Sequence, residues 1–246
     1  MPALFVPPSK PTQALEKTPA QKRRLVRRVY DVLDERYGGA VWDATRRRPD
    51  PLDDVVRTIL SQNTTDENRD RAFTTLREAL PTWANVLETD LGTLKRLIRV
   101  AGLVQAKAPA IRDFLKWLME ERGRLDLSFL NDLETDEGIA LLIQHKGIGL
   151  KTAYIVLAFA CDKDLCAVDT HVHRILTRLA LIGERCGREK AHEVLRPLIP
   201  TGKARVLHMN LIDFGKDLCT ARNPGCEFCP LRRSCIYHQT LSGRGS

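Results

Sequence analysis

Three stretches of this 246-residue chain gather side chains able to do chemistry. In Gly147-Ile148-Gly149-Leu150-Lys151, two glycines deliver a lysine onto the first turn of an apolar stretch. The segment after that stretch ends in Val168-Asp169-Thr170-His171. A buried amine beside a carboxylate is what Schiff-base attack on a sugar carbon requires. At a helix start the dipole disfavours a cation by about 0.3–1 kcal/mol, which favours the uncharged, nucleophilic amine. The glycine turn, followed by unpaired helix N–H groups, is also a natural seat for a phosphate. The third stretch is Cys219-x6-Cys226-x2-Cys229-x5-Cys235, with Pro224, Gly225 and Pro230 as turn formers. Four thiolates closing in space suit an iron–sulfur cluster or zinc, and spacing alone does not separate the two. Each motif has a bland reading too: an ordinary helix–helix turn, a solvated lysine, an aspartate that only caps a helix.

Those residues need elements to position them, and from Gln21 onward the pattern is almost wholly helical. Leu25, Val29, Val32 and Leu33 repeat at helix spacing until Gly38-Gly39. Leu52, Val55, Val56, Ile59 and Leu60 mark a second helix, and a Thr64/Glu67 capping box opens a third that Pro81 ends. Further periodicity predicts helices near 82–88, 90–99, 105–122 and 135–145, then 151–160, 171–182, 188–198 and 203–217. No alternating β-branched run of useful length appears, so the protein reads as all-α. His145 to Gly149 falls between two helices as the turn of a helix-hairpin-helix. His171 and His173 diverge on their helix and share no metal. Trp42, Trp83 and Trp117 read as core.

Composition sets the class. Hydrophobic content of 43% with 28% charged residues is that of a globular chain, and no apolar run approaches the roughly 20 residues of a membrane helix. A net charge of +8, gathered in stretches such as Lys22-Arg23-Arg24, Arg27-Arg28, Arg46-Arg47-Arg48 and Arg232-Arg233, favours a polyanionic partner held in a basic cleft. The proline-rich residues 1–20 carry no arginine and no apolar core, unlike a presequence or secretory signal. A reducing, cytoplasmic setting is expected, in which seven cysteines are ligands or free thiols.

Together, the hairpin with Lys151, the Asp169 segment and the cysteine quartet resemble the endonuclease III family of DNA glycosylases over about residues 20–238. The resemblance implies two helical lobes flanking a DNA cleft: a six-helix barrel with the helix-hairpin-helix over 44–163, and a cluster-bearing domain from 20–43 and 164–238. Residues 1–19 and 239–246 would be a flexible arm and tail. In the family the hairpin lysine attacks C1′ of a flipped damaged nucleotide, a role that carries to Lys151. The family's aspartate carries to Asp169, which activates the lysine and stabilises positive charge on the sugar. A lysine here implies a bifunctional DNA N-glycosylase/AP lyase of base excision repair, acting on oxidised pyrimidines in damaged double-stranded DNA and nicking by β-elimination. The quartet Cys219, Cys226, Cys229 and Cys235 matches the family's [4Fe–4S] loop. Gln62 or Asn63 would fill the gap left by the flipped base, with Leu103 as the opposite wedge. Lys146, Gly147, Gly149 and His171 would touch DNA. The implied protein is a monomer, without a membrane partner, associated with the nucleoid.

One departure bears on lesion preference. The family's usual Leu-Pro before the hairpin glycine is His145-Lys146 here, which adds a phosphate contact and alters the lip of the pocket. Two other readings remain. A mismatch glycosylase of the same superfamily, acting on uracil or thymine, is separated by a substrate panel. A non-catalytic DNA-binding module with zinc would neither nick DNA nor absorb visible light.

Overall fold

The computed structural model describes residues 17–242, and among these there are helices, short 3-10 turns and loops but no strand. Most of the expected N-terminal arm lies outside the described residues. The helices are α1 (Pro19–Tyr37), α2 (Gly39–Thr45), α3 (Pro51–Leu60), α4 (Asp66–Ala79), α5 (Trp83–Glu88), α6 (Leu91–Leu97) and α7 (Val104–Arg122). They continue as α8 (Thr135–Ile143), α9 (Leu150–Phe159), α10 (Thr170–Arg178), α11 (Arg188–Leu195), α12 (Ala204–Asp217) and α13 (Ile236–Ser242). α2 and α13 are too short for periodicity to announce, and α13 enters the segment expected as a tail.

Local chemistry sets the ends. α1 opens on a capping box between Thr18 and Gln21 and stops at Gly38, whose φ of 68° only glycine adopts freely. α3 opens on Asp50, whose carboxylate accepts the N–H groups of Leu52 and Asp53. α4 is capped by Thr65 rather than Thr64. The chain leaves α3 through a left-handed Asn63, and Thr65, in extended backbone, takes the N–H of Asn68.

Two apolar cores divide the helices. Leu52, Ile59, Leu76, Ile111 and Leu157 belong to the first, built from α3 to α9. Leu33, Val172, Leu176, Leu211 and Phe214 belong to the second, in which α1 joins α10 and α12. The chain thus begins in one lobe, builds the other, and returns. Charged side chains tie the lobes: Asp43 accepts Arg46 at 2.9 Å and Arg205 through both oxygens, at 2.5 and 2.8 Å. The same Arg46 reaches the Phe159 carbonyl at 2.7 Å and Asp162 at 3.0 Å. Its neighbour Trp42 is 40% exposed, not core, and meets Phe159 by its edge. Trp83 is buried and Trp117 half-buried.

Candidate active site

Between the lobes lies a cleft of about 960 Å³, and Lys151 and Asp169 both line it. Lys151 stands on the first turn of α9. The turn before it is set by Gly147, with φ +90°, where a Cβ would come within 2.7 Å of Ala110 Cβ. Gln62 Nε2 donates to the Gly147 carbonyl at 2.8 Å and ties that turn to the end of α3. Gly149 caps α9 without a side chain, and nothing stands within 4 Å of where its Cβ would be. The first-turn N–H groups therefore lie behind open space. The lysine is exposed, not buried.

Asp169 caps α10, its Oδ1 accepting the Val172 N–H at 2.8 Å. Two buried histidines hold the strand-like segment before it. His192 Nε2 accepts the Val168 N–H at 2.9 Å, and its Nδ1 donates to the Arg188 carbonyl at 2.8 Å. His208 Nδ1 donates to the Ala167 carbonyl at 2.9 Å. Both rings line the cleft. Burial pushes both below the usual histidine range. His208 falls to about 4, where Asp169 draws it up and Lys151 presses it down. His192, accepting through Nε2 and donating through Nδ1, needs a neutral ring in that one tautomer, whereas the His208 bond needs only a proton on Nδ1 and burial keeps that ring neutral. The sequence did not reveal these two residues. The only signal was a histidine within an apolar stripe, beside Leu195 and between Leu207 and Leu211.

Of the three wedge candidates, Gln62 is held by the Gly147 carbonyl, and the other two share a feature. Asn63 and Leu103 both take positive φ, 50° and 48°, which strains a non-glycine residue. Both are exposed, Leu103 at 55%. The turns that carry them are braced by one ammonium: Lys107 is buried, and its Nζ donates to the Leu60 and Ala101 carbonyls at 2.8 Å each. Leu60 precedes the Ser61-Gln62-Asn63 turn and Ala101 precedes Gly102-Leu103. A lysine in line with Ala108 and Ile111 was the sequence signal for this brace.

His171 lines the cleft and packs on Gly215, where a Cβ would meet its ring at 2.8 Å; its Nδ1 accepts from Arg174 at 3.2 Å. His173 turns away to the Cys186 carbonyl at 2.6 Å. Lys146 is exposed beside the hairpin. His145 does not form the pocket's lip. Its ring packs against Phe114 and Trp117, with centroids 5.0 and 4.1 Å away. Nor is the cleft strongly basic. Arg57, Arg69, Lys151, Arg188 and Lys216 face Asp54, Asp66, Asp169 and Glu189, five cations against four acids. The arginines of α1 line other depressions, Arg23, Arg24 and Arg27 beside Pro197 to Pro200, and Arg28 beside Arg232 and Arg233.

Cys219, Cys226, Cys229 and Cys235 line one pocket with Leu218, Pro224 and Tyr237. Burial pushes the thiols of Cys226, Cys229 and Cys235 upward, and their mutual charges add to it, Cys229 reaching about 11. Arg178 Nη1 lies 3.2 Å from Cys219 Sγ. All seven cysteines are free thiols, and among the described residues no three His, Cys, Asp or Glu side chains gather as a single-ion site. Among those residues, too, no helix is long and apolar enough to cross a membrane.

Residues 56–201 match the HhH-GPD superfamily of base excision DNA repair proteins. The chain is 32% identical to endonuclease III of Thermotoga maritima over 193 residues, 78% of this chain and 86% of that one. It is 37% identical over 165 residues to a putative DNA glycosylase of Arabidopsis thaliana, At3g47830, covering 67% of this chain and 56% of that one. A trapped endonuclease III–DNA covalent intermediate superposes with a TM-score of 0.76 at 25% identity, covering 89% of this chain and 98% of that one.

Proposed function

The chain belongs to the HhH-GPD superfamily and, within it, to the endonuclease III family of DNA glycosylases, and from that premise we propose that it excises oxidised or ring-saturated pyrimidines as a bifunctional glycosylase/AP lyase. The supporting observation is that one cleft is lined by both an amine, on the first turn of α9, and a carboxylate, at the N-cap of α10.

In this reading the Lys151 amine attacks C1′ of the extruded nucleotide while Asp169 takes its proton and faces the developing positive charge. A C1′–nitrogen bond forms, and the glycosidic bond breaks with its electron pair leaving on the base, which is then protonated. Opening of the sugar ring leaves an iminium between Lys151 and C1′. Loss of a proton from C2′ then expels the 3′ phosphate and nicks the strand. Asp169 keeps one oxygen for the Val172 N–H and so stays oriented throughout. The open N–H groups behind Gly149, with Lys146 beside them, take a backbone phosphate. Asn63 and Leu103 fill the gap that the extruded base leaves.

The four thiols fit a [4Fe–4S] cluster as its ligands. They surround a shared pocket instead of one point, repel one another as anions, and have a guanidinium beside Cys219, which is the setting of a polynuclear, charge-balanced group. Such a cluster would cross-link the loop that follows α12. Purified protein should be brown, with visible charge-transfer absorbance; a colourless, zinc-loaded preparation would remove the cluster from this reading.

Borohydride tests the chemistry. Incubated with a duplex bearing an oxidised pyrimidine, the protein should form a covalent adduct that Lys151→Ala abolishes and Asp169→Asn greatly slows. An adduct undiminished in Lys151→Ala would exclude that lysine as the nucleophile.

A further inference from the structure

The cleft holds a group that neither step above uses. On α3, Asp54, Thr58 and Ser61 recur at helical spacing, and all three line the cleft. From Asp54 to the end of the helix at Leu60 is six residues, roughly 9 Å along its axis. Asp54 therefore lies well along α3 from the turn that carries Ser61 and Asn63.

Asp54 is partly exposed, yet its Oδ2 is sealed from solvent and has no hydrogen-bond partner. Among the described residues, no hydrogen bond or ion pair reaches its carboxyl. The guanidinium groups nearest in charge are engaged elsewhere. Arg57 bonds Asp70 at 3.0 Å, Arg69 bonds Asp66 at 2.7 Å and Asp70 at 2.9 Å, and Arg46 bonds Asp43 and Asp162. Buried polar groups in folded proteins are almost always paired, and one left alone in a reaction cleft is a place where a ligand completes the pairing.

We infer that Asp54 reads the extruded base, its carboxyl pairing with the N–H/C=O edge of a thymine- or uracil-derived lesion. The inference rests on the glycosylase reading and deepens it. A pyrimidine of that class presents a ring N3–H between two carbonyls. A carboxylic acid matches one side of that edge, its C=O accepting the N–H and its O–H donating to the neighbouring carbonyl. The ionised form can only accept. Burial pushes Asp54 up to about 7, so the acid form is populated at neutral pH. Lys151 and Asp169 act on the sugar, whereas Asp54 would touch only the base.

The full chain, assayed on a duplex bearing dihydrouracil and on one bearing a tetrahydrofuran abasic analogue, separates these roles. Asp54→Ala should lower base release roughly 10- to 100-fold, the worth of a hydrogen bond to a charged or acidic group, and leave the affinity for the abasic duplex unchanged. Asp54→Asn, whose amide still accepts and donates, should recover part of the rate and lose the dependence on pH near neutrality. Methylating N3 of the lesion should slow the parent protein by a similar factor and slow Asp54→Ala no further. Equal losses on both duplexes would reduce Asp54 to a structural part and overturn the inference. Base release undiminished in Asp54→Ala, while the parent protein is active, would overturn it alone. A parent protein that releases no pyrimidine lesion would overturn the inference and the proposed substrate class together.

Discussion

The two walls that carry Lys151 and Asp169 are held by different physics. The lysine wall is fixed by the backbone: a glycine turn packed against Ala110, a left-handed turn at Asn63, and a buried ammonium across two helix-end carbonyls. The aspartate wall is fixed by side chains, two neutral imidazoles gripping the Ala167 carbonyl and the Val168 N–H. The first kind of support fails when a methyl group is added. The second is disturbed when a proton is added, which removes the acceptor His192 offers the Val168 N–H and puts a charge on the buried His208 ring. A cleft built this way can lose the placement of Lys151 or of Asp169, the proposed catalytic groups, while keeping the other's.

The largest effect belongs to the lysine wall. Gly147→Ala must place a Cβ at φ +90° and 2.7 Å from Ala110 Cβ. Left-handed strain of about 1–2 kcal/mol and overpacking of about 1–3 kcal/mol together suggest a loss near 4 kcal/mol. Urea unfolding should report it, with excision falling by at least the same free energy. Gly149→Ala, two residues away, meets nothing within 4 Å and has an ordinary φ of −89°, so its stability should hardly change. Equal destabilisation by the two would mean that Ala110 does not set the hairpin.

How much of this could be read beforehand follows the same division. Lys151 and Asp169 were legible because a glycine turn before a helix and a carboxylate at a helix start are local signals. The braces were not. Lys107 acts on a carbonyl 47 residues away, His192 across 24 and His208 across 41, and no periodicity encodes such a reach. Thr64 and Thr65 are equal as caps on paper, and only the turn at Asn63 decides between them. The basic stretches foretold a polyanion correctly in sum and misplaced it in detail, since charge density in sequence does not say which face a helix turns to the cleft. His145 looked like a lip residue by its place beside the hairpin; aromatic neighbours on α7 claim it instead.

The smaller effect, and the sharper one, belongs to the aspartate wall. His208 is held near 4 when folded, against an ordinary value of 6.5, so between those limits the unfolded chain binds more protons. Stability from this ring is whole above about pH 6.5 and is lost as pH falls toward 4. Asp54 works the other way. Raised from 3.8 to about 7, it makes the folded state the better proton binder over much of the same window, so the total pH profile mixes opposite slopes. The prediction is therefore a difference. His208→Asn keeps an amide able to donate to the Ala167 carbonyl and removes the titration. In urea unfolding the parent should lose stability relative to this variant by on the order of 3 kcal/mol between pH 7 and pH 4. Parallel profiles for the two proteins would mean that His208 is not held neutral, and the contrast between the walls would reduce to the glycine turn alone.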